Sequence, residues 1–162
     1  MKRTRILGLI LALGLPTLAQ TPDMIINIGA ETSTLDPSYI SGVPEHQIYL
    51  ALFEGLVTYD PKTCAAVPGV AKSWEWNDDY TQLTFKLRKS TWSDGTPITA
   101  QTVVDSWLRT LNPDTAAEYA YMINMVVKGA EAYNIGKGSA SDVAIRALDD
   151  YTFQMDLIGP LP

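Results

Sequence analysis

The stretch "STWSDGTPITAQTVVDSW" (residues 90–107) determines how the middle of the chain folds. Asp94 and Gly95 form a strong turn signal, and Thr99 is a residue type that often caps the first turn of a helix. Beyond Thr99, apolar residues recur at helical spacing over three turns: Val103, Val104, Trp107, Leu108 and Leu111. The stretch therefore predicts a turn followed by an amphipathic helix. A capping box is not predicted, because Thr102 stands where that motif has Glu or Gln.

Two other segments predict half-buried strands, because apolar and polar residues alternate along them. In residues 78–89 the inward set is Leu83, Phe85 and Leu87, and the outward set is Thr84, Lys86 and Arg88. In residues 149–157 the inward set is Tyr151, Phe153, Met155 and Leu157, and the outward set is Thr152, Gln154 and Asp156. Each strand follows an Asp-Asp-Tyr-Thr turn.

The remaining elements are predicted from shorter patterns. The apolar run at residues 24–28 predicts a buried strand of the parallel type, and "LVTYDP" at residues 56–61 predicts another strand. A helix is predicted from Pro44, and a second one is predicted within residues 112–127. Residues 128–142 predict a loop with one helical turn. The order strand, helix, strand, strand, helix, helix, strand indicates a mixed α/β or α+β fold.

The first nineteen residues have the layout of a secretory signal peptide. Three cations precede an apolar run at residues 6–15, and small residues follow up to Ala19, after which cleavage is expected. The apolar run is about half the length that a bilayer-spanning helix needs. No cysteine follows it directly, so a lipoprotein anchor is not indicated. We therefore expect an exported, periplasmic or extracytoplasmic protein.

The overall composition fits a globular protein and limits its partners. The chain has 162 residues, of which 46% are hydrophobic and 19% charged, and its net charge is −6. Residues 1–19 hold three of the 12 basic residues and none of the 18 acidic ones, so 9 against 18, or −9, would remain after cleavage. An acidic surface argues against nucleic acid and anionic membranes as partners.

Few residues are suited to catalysis or metal binding. Cys64 is the single cysteine and His46 the single histidine, which excludes an intramolecular disulfide and multi-histidine metal sites. Asp94 and Asp105 leave open a carboxylate pair for glycoside hydrolysis. Asp94 is better explained by its turn, however, and His46 is expected at the surface. No catalytic residue, metal site or cofactor is predicted.

The tryptophans and one loop are further candidates for ligand binding. The tryptophans could line a sugar or peptide groove; they are Trp74, Trp76, Trp92 and Trp107. Trp107 is better explained as core, because it lies in the apolar stripe. The loop "SYISGVPEHQ" (residues 38–47) has little to bury although it joins two apolar elements, so it is the stronger candidate. Its backbone around Gly42 could pair with an extended ligand. "NIGKGS" (residues 134–139) is expected to be a solvated loop.

Several segments together resemble the oligopeptide-binding receptors of ABC importers, which are extracellular solute-binding proteins of family 5. "LFEGL", "PGVAKSW" and "WSDGTPITA" are specific in combination. The resemblance runs in family order through residues 34–60, 68–107, 111–122 and 144–157. It implies a type II periplasmic-binding-protein fold with two lobes and an extra domain. Residues 1–19 would be the signal peptide, 20–52 the start of lobe I, and 53–162 the extra domain, truncated at its carboxyl end.

The resemblance also implies a function and a set of binding residues. Such receptors are not enzymes: they clamp an extended peptide largely through its backbone and deliver it to a membrane permease as monomers. By motif, Ser41, Gly42 and Val43 would form the strand edge that pairs with the peptide, and Tyr119 would lie near its amino end. Members of the family are much longer, so this chain is expected to be an amino-terminal fragment.

Two alternatives remain open at this point. The first is a receptor of the same family for a dipeptide, nickel complex, haem or sugar. The second is a secreted hydrolase that uses Asp94 or Asp105.

Overall fold

The computed structural model describes residues 25–161. The helices in that range are α1 (Val43–Leu52), α2 (Ala100–Leu111), α3 (Ala120–Asn124) and α4 (Ala130–Asn134). The strands are β1 (Val57–Tyr59), β2 (Ala66–Pro68), β3 (Ala71–Trp76), β4 (Gln82–Leu87), β5 (Ser90–Thr91), β6 (Pro97–Ile98), β7 (Ile145–Asp149) and β8 (Thr152–Asp156). Single 3-10 turns lie at Pro113–Thr115 and Ala140–Asp142.

A four-stranded antiparallel sheet in the order β3-β4-β8-β7 forms the centre of the fold. Phe85 of β4 lies opposite Phe153 of β8, although the two residues are 68 positions apart. The chain between these two strands contains α2, α3 and α4, and α2 packs against β7 and β8. Helices and strands are therefore mixed in one layered unit, which confirms the predicted fold class.

The core lies between the sheet and α2. The inward residues of β4 and β8 are buried, and Phe153 has no exposed surface. Trp107 of α2 sets its ring edge against Phe153 at 5.4 Å between centroids, which confirms its predicted core position. The predicted exposure of Thr84 and Thr152 is wrong, because both are buried. Their hydroxyls accept hydrogen bonds from Gln154 and Lys86, whose longer side chains cover them.

The turn and helix predicted from residues 90–107 are confirmed. Gly95 has a φ of +89°, and Asp94 Oδ1 accepts the Thr96 N–H at 2.8 Å. Thr99 caps α2 by accepting the Thr102 N–H at 3.3 Å. The prediction that no capping box forms is wrong: the Thr102 hydroxyl accepts the Thr99 N–H at 3.1 Å, so the threonine performs the role usually taken by Glu or Gln.

Other predicted elements differ from the structure. Residues 25–28 form no strand, and Ile25 is 93% exposed; Met24 and the residues expected to form the signal peptide lie outside the described residues. A strand needs a paired neighbour, and this segment has none within residues 25–161. The predicted helix within residues 112–127 is reduced to a 3-10 turn and the short α3. The helical turn predicted within residues 128–142 is α4.

Candidate functional site

The segment predicted to bind ligand lies immediately before α1. Gly42 is the residue before the helix, with φ +94° and ψ 168°, and Val43 begins the helix with 70% of its side chain exposed. A left-handed φ of this kind favours glycine. A Cβ at Gly42 would also lie 3.0 Å from Glu45 Oε2. Among the hydrogen bonds of residues 25–161, none uses the N–H of Ser41, Gly42 or Val43. These three backbone donors are therefore unpaired within the described residues.

Residues 33–45 form a loop that is closed at its base. Glu45, in the first turn of α1, is buried, and its Oε1 accepts the N–H of Ser33 at 3.2 Å. A carboxylate near a helix N-terminus is also favoured by the helix dipole. This contact folds the start of the loop back against the start of α1.

The middle of the same loop is held by the last turn of α2. Arg109 donates to both carboxylate oxygens of Asp36, at 2.7 and 2.6 Å, and to the Ser38 hydroxyl at 2.9 Å. Ser38 also hydrogen-bonds Thr110 at 3.2 Å. The guanidinium carbon lies 5.7 Å from the centre of the Tyr39 ring. One side chain of α2 thus contacts three residues of the loop.

These contacts stabilise the charged forms of Asp36 and Arg109. The hydrogen bonds from Arg109 lower the pKa of the Asp36 carboxyl, with help from the Ser38 N–H and in opposition to desolvation. The hydrogen bonds with Asp36, and the charge of that carboxylate, raise the pKa of the Arg109 guanidinium. Both groups are therefore charged at neutral pH, and a bidentate pair between them is the expected state.

Tyr119 lies just beyond the same end of α2. It precedes α3, and its ring is 46% exposed and 6.1 Å from the Tyr121 ring. Met122 and Met125 are also exposed beside it. The structure therefore brings the loop against the carboxyl end of α2. Tyr119 follows that end of α2 along the chain, and no hydrogen bond within residues 25–161 joins it to residues 41–43.

An open groove of about 570 Å³ lies between α1 and the amino-terminal half of α2. Aromatic side chains from both sides line it, namely Tyr49, Phe53, Trp92 and Trp107. The ion pair of Arg88 with Glu54 lies at its edge. The sequence did not predict this groove, because its walls come from separate segments. The proposal that tryptophans line a groove fits Trp92 and Trp107, whereas Trp74 and Trp76 do not line it.

The residues weighed for catalysis are engaged in local structure. Asp94 Oδ1 accepts the Thr96 N–H, and that bond lowers the pKa of the carboxyl, whereas a general acid needs a raised value. Asp105 accepts a hydrogen bond from the Gln101 amide at 2.8 Å. His46 is exposed, as expected, with its ring near Tyr49. Within residues 25–161, no cluster of three His, Cys, Asp or Glu residues could hold a metal ion.

Comparison with known proteins places the chain in a family. A profile for "Bacterial extracellular solute-binding proteins, family 5 Middle" matches residues 65–162. The chain belongs to this family. Its described part also contains no helix long and apolar enough to span a bilayer.

Relatives of this family 5 chain include well-described binding proteins. The periplasmic oligopeptide-binding protein OppA of Escherichia coli is 44% identical over 148 residues, which is 90% of this chain and 27% of OppA. The probable deoxycholate-binding periplasmic protein YgiS of Escherichia coli is 36% identical over 138 residues, covering 84% of this chain and 26% of YgiS. The family 5 chain therefore spans about a quarter of the length of these relatives.

Solved structures agree with this placement. Haemophilus influenzae OppA in complex with the peptide RPPGFSPFR is 40% identical, with a TM-score of 0.78 over 84% of this chain and 27% of that one. The fold of the family 5 chain is thus part of a type II periplasmic-binding-protein fold. The match covers 27% of the Haemophilus influenzae protein, so the remaining parts of such a fold have no counterpart in residues 25–161.

Proposed function

We propose that the protein is an exported receptor that captures oligopeptides and delivers them to the permease of an ABC importer. The observation that carries this proposal is the 44% identity to an oligopeptide-binding protein over 90% of the chain. The similarity of fold to a receptor that holds a nine-residue peptide supports it. The receptor would be a monomer without enzymatic activity or cofactor. Residues 1–19 would direct export as a signal peptide and would be cleaved off in the process.

The loop before α1 would supply the peptide-binding edge. Ser41, Gly42 and Val43 have backbone N–H groups that are unpaired within residues 25–161, which suits an added strand. Tyr119, which is exposed and follows the carboxyl end of α2 along the chain, would contact the amino end of the peptide. Recognition through the backbone would tolerate many side chains, because every peptide presents the same N–H and C=O groups.

The domain assignment supports the same function. Residues 20–52 would start lobe I and residues 53–162 would belong to the extra domain. The end of α1 at Leu52 falls at that boundary, and the central sheet lies entirely after it. The peptide edge would then lie in lobe I, with α2 of the extra domain supporting it.

A second candidate ligand class comes from the relatives. YgiS, whose printed name is a deoxycholate-binding protein, is 36% identical to this chain. The higher identity to OppA favours oligopeptides over that steroid and over the dipeptide, nickel complex, haem or sugar alternatives. A hydrolase is disfavoured, since Asp94 and Asp105 each have a local hydrogen-bond partner.

The test is a titration of the exported protein that carries this sequence, isolated from the cells that make it. We expect micromolar or tighter binding of tripeptides and longer peptides by calorimetry, with side-chain changes altering affinity less than about tenfold. N-methylation of the central peptide bonds should weaken binding far more, because it removes backbone donors. Deoxycholate, dipeptides, haem and sugars serve as competitors. Failure of every peptide to bind at millimolar concentration would refute the proposal.

A further inference from the structure

The internal hydrogen bonds of the loop at residues 33–45 lie at its base and around the turn at residues 36–39, and none of them uses the N–H groups of residues 41–43. Gly42 takes a left-handed φ, and no side chain caps α1. The backbone donors of Ser41, Gly42 and Val43 are unpaired within residues 25–161. A segment of this kind would lose conformational entropy on binding unless something else held it in place.

The support comes from a helix that is distant in sequence. Arg109 is 73 positions from Asp36 and contacts both of its carboxylate oxygens, and the same guanidinium reaches Ser38. Ser38 is 8% exposed, whereas the side chains of Arg109 and Asp36 are 49% and 34% exposed, so the anchor is buried only on its Ser38 side. Asp36 in turn accepts the N–H of Ser38 through Oδ1 at 3.1 Å and the N–H of Tyr39 through its carbonyl oxygen at 3.0 Å. The turn at residues 36–39 is thus built around the carboxylate that Arg109 holds.

The geometry is one that lysine could not reproduce. A planar guanidinium can bind two carboxylate oxygens side by side while a further N–H reaches a hydroxyl, whereas an ammonium acts as a point charge. The Tyr39 ring beside the guanidinium adds a cation–π contact. Together these contacts fix the orientation of the turn as well as its distance from α2.

We propose that Arg109 is a positioning residue for the ligand edge. By holding Asp36 and Ser38, it fixes the turn that ends two residues before Ser41, and so presents the backbone of residues 41–43 to the peptide. Arg109 itself does not contact the ligand. This inference rests on the proposed peptide-binding function, and it adds that the extra domain takes part in ligand affinity through α2.

The test compares three single variants, one double variant and one matched control variant of the same exported protein. Arg109→Ala removes the anchor, Asp36→Asn removes its partner charge, and Arg109→Lys keeps the charge without the bidentate geometry. Arg146→Ala is the matched control, because Arg146 pairs with Asp156 on the central sheet at similar exposure. Peptide affinity is measured well below the melting temperature of every variant, and amide hydrogen exchange is followed at residues 38–43.

We expect Arg109→Ala and Asp36→Asn each to weaken peptide binding by at least about tenfold, through faster motion of the edge. The double variant Asp36→Asn/Arg109→Ala should lose little more, since the two residues act as one unit. Arg109→Lys should recover only part of the affinity. Exchange at the hydrogen-bonded amides of Ser38 and Tyr39 should accelerate in the Arg109 and Asp36 variants and stay unchanged in Arg146→Ala.

The outcomes separate this inference from the proposed function. If the wild type binds peptide and Arg109→Ala binds equally well, the inference is wrong, even if the melting temperature falls. If losses in the double variant are additive, Arg109 acts other than through Asp36, and the inference is again wrong. If the wild type binds no peptide, the proposed function fails. The exchange data then decide the positioning role alone: unchanged exchange at the hydrogen-bonded amides of Ser38 and Tyr39 in Arg109→Ala overturns it, and faster exchange supports it.

Discussion

Gly129 shows how a single residue can be constrained by backbone conformation and by space at once. It joins Lys128, whose N–H donates to the Asp156 carbonyl oxygen, to the start of α4, and its φ is +82°. A Cβ at this position would overlap the carbonyl oxygen of Asp142. Gly136 has a similar φ of +71°, but a Cβ there would meet nothing within 4 Å. The two glycines therefore separate backbone strain from steric overlap.

We predict that Gly129→Ala destabilises the protein much more than Gly136→Ala. The Gly136 variant should lose about 1 kcal/mol, which is the cost of a left-handed φ in a residue with a Cβ. The Gly129 variant should lose at least about 2 kcal/mol more, because the backbone at residue 142 must also move. Urea unfolding of both variants measures the difference. Equal losses would mean that the overlap is relieved at no cost.

At the scale of one element, α2 begins through a reciprocal pair of threonines. Thr99 and Thr102 each accept the backbone N–H of the other through their hydroxyls. The first N–H groups of a helix have no partner inside the helix. The Thr99 hydroxyl accepts one of them, the N–H of Thr102, and the Thr102 hydroxyl accepts the N–H of the capping residue Thr99. Because α2 carries both Trp107 of the core and Arg109 of the loop anchor, its start affects both.

We predict that Thr99→Ala lowers the free energy of unfolding by about 1 kcal/mol, the usual cost of losing an N-cap side chain. Thr99→Ser keeps the hydroxyl and should change stability by less than about 0.5 kcal/mol. Chemical denaturation of the two variants side by side measures the effect. A loss in Thr99→Ser as large as that in Thr99→Ala would assign the effect to the missing methyl group instead.

At the scale of the whole molecule, Phe153 connects the sheet to α2. Its ring has no exposed surface, lies 6.0 Å from the Phe85 ring across the β4-β8 pair, and meets the edge of Trp107. Two strands that are far apart in the chain and the helix between them thus meet at one side chain. Stability of the unit should depend on this contact more than on any exposed residue of the same sheet.

We predict that Phe153→Ala costs about 3–5 kcal/mol by creating a cavity, and that Phe153→Leu costs less than about 1.5 kcal/mol. Leu148→Ala, on the neighbouring strand β7 at 52% exposure, should cost less than about 0.5 kcal/mol. Thermal unfolding followed by tryptophan fluorescence measures all three. If Phe153→Leu already abolishes folding, the ring contacts rather than the buried volume hold the core.

Elements with a strong local pattern could be predicted from the sequence by itself. The strands β4 and β8, the turn at Asp94-Gly95 and the apolar stripe of α2 were predicted correctly, although Thr84 and Thr152 on the predicted outer face are buried. In these segments the side-chain period and the turn chemistry act within a few residues, so no distant contact is needed to establish them. The same local motifs, read together, also indicated family 5, and the match at residues 65–162 confirms that membership.

Other features were decided by tertiary structure, because they depend on residues far apart in the chain. Strands β3 and β7 have weak patterns and were missed; they exist because β4 and β8 provide partners. The apolar run beginning at Met24 was predicted as a strand, yet its described part pairs with nothing within residues 25–161. The contact of Arg109 with Asp36 spans 73 positions. Sequence periodicity describes which face of an element is apolar, whereas the choice of partner for that face or for a charged side chain is settled only when the chain packs.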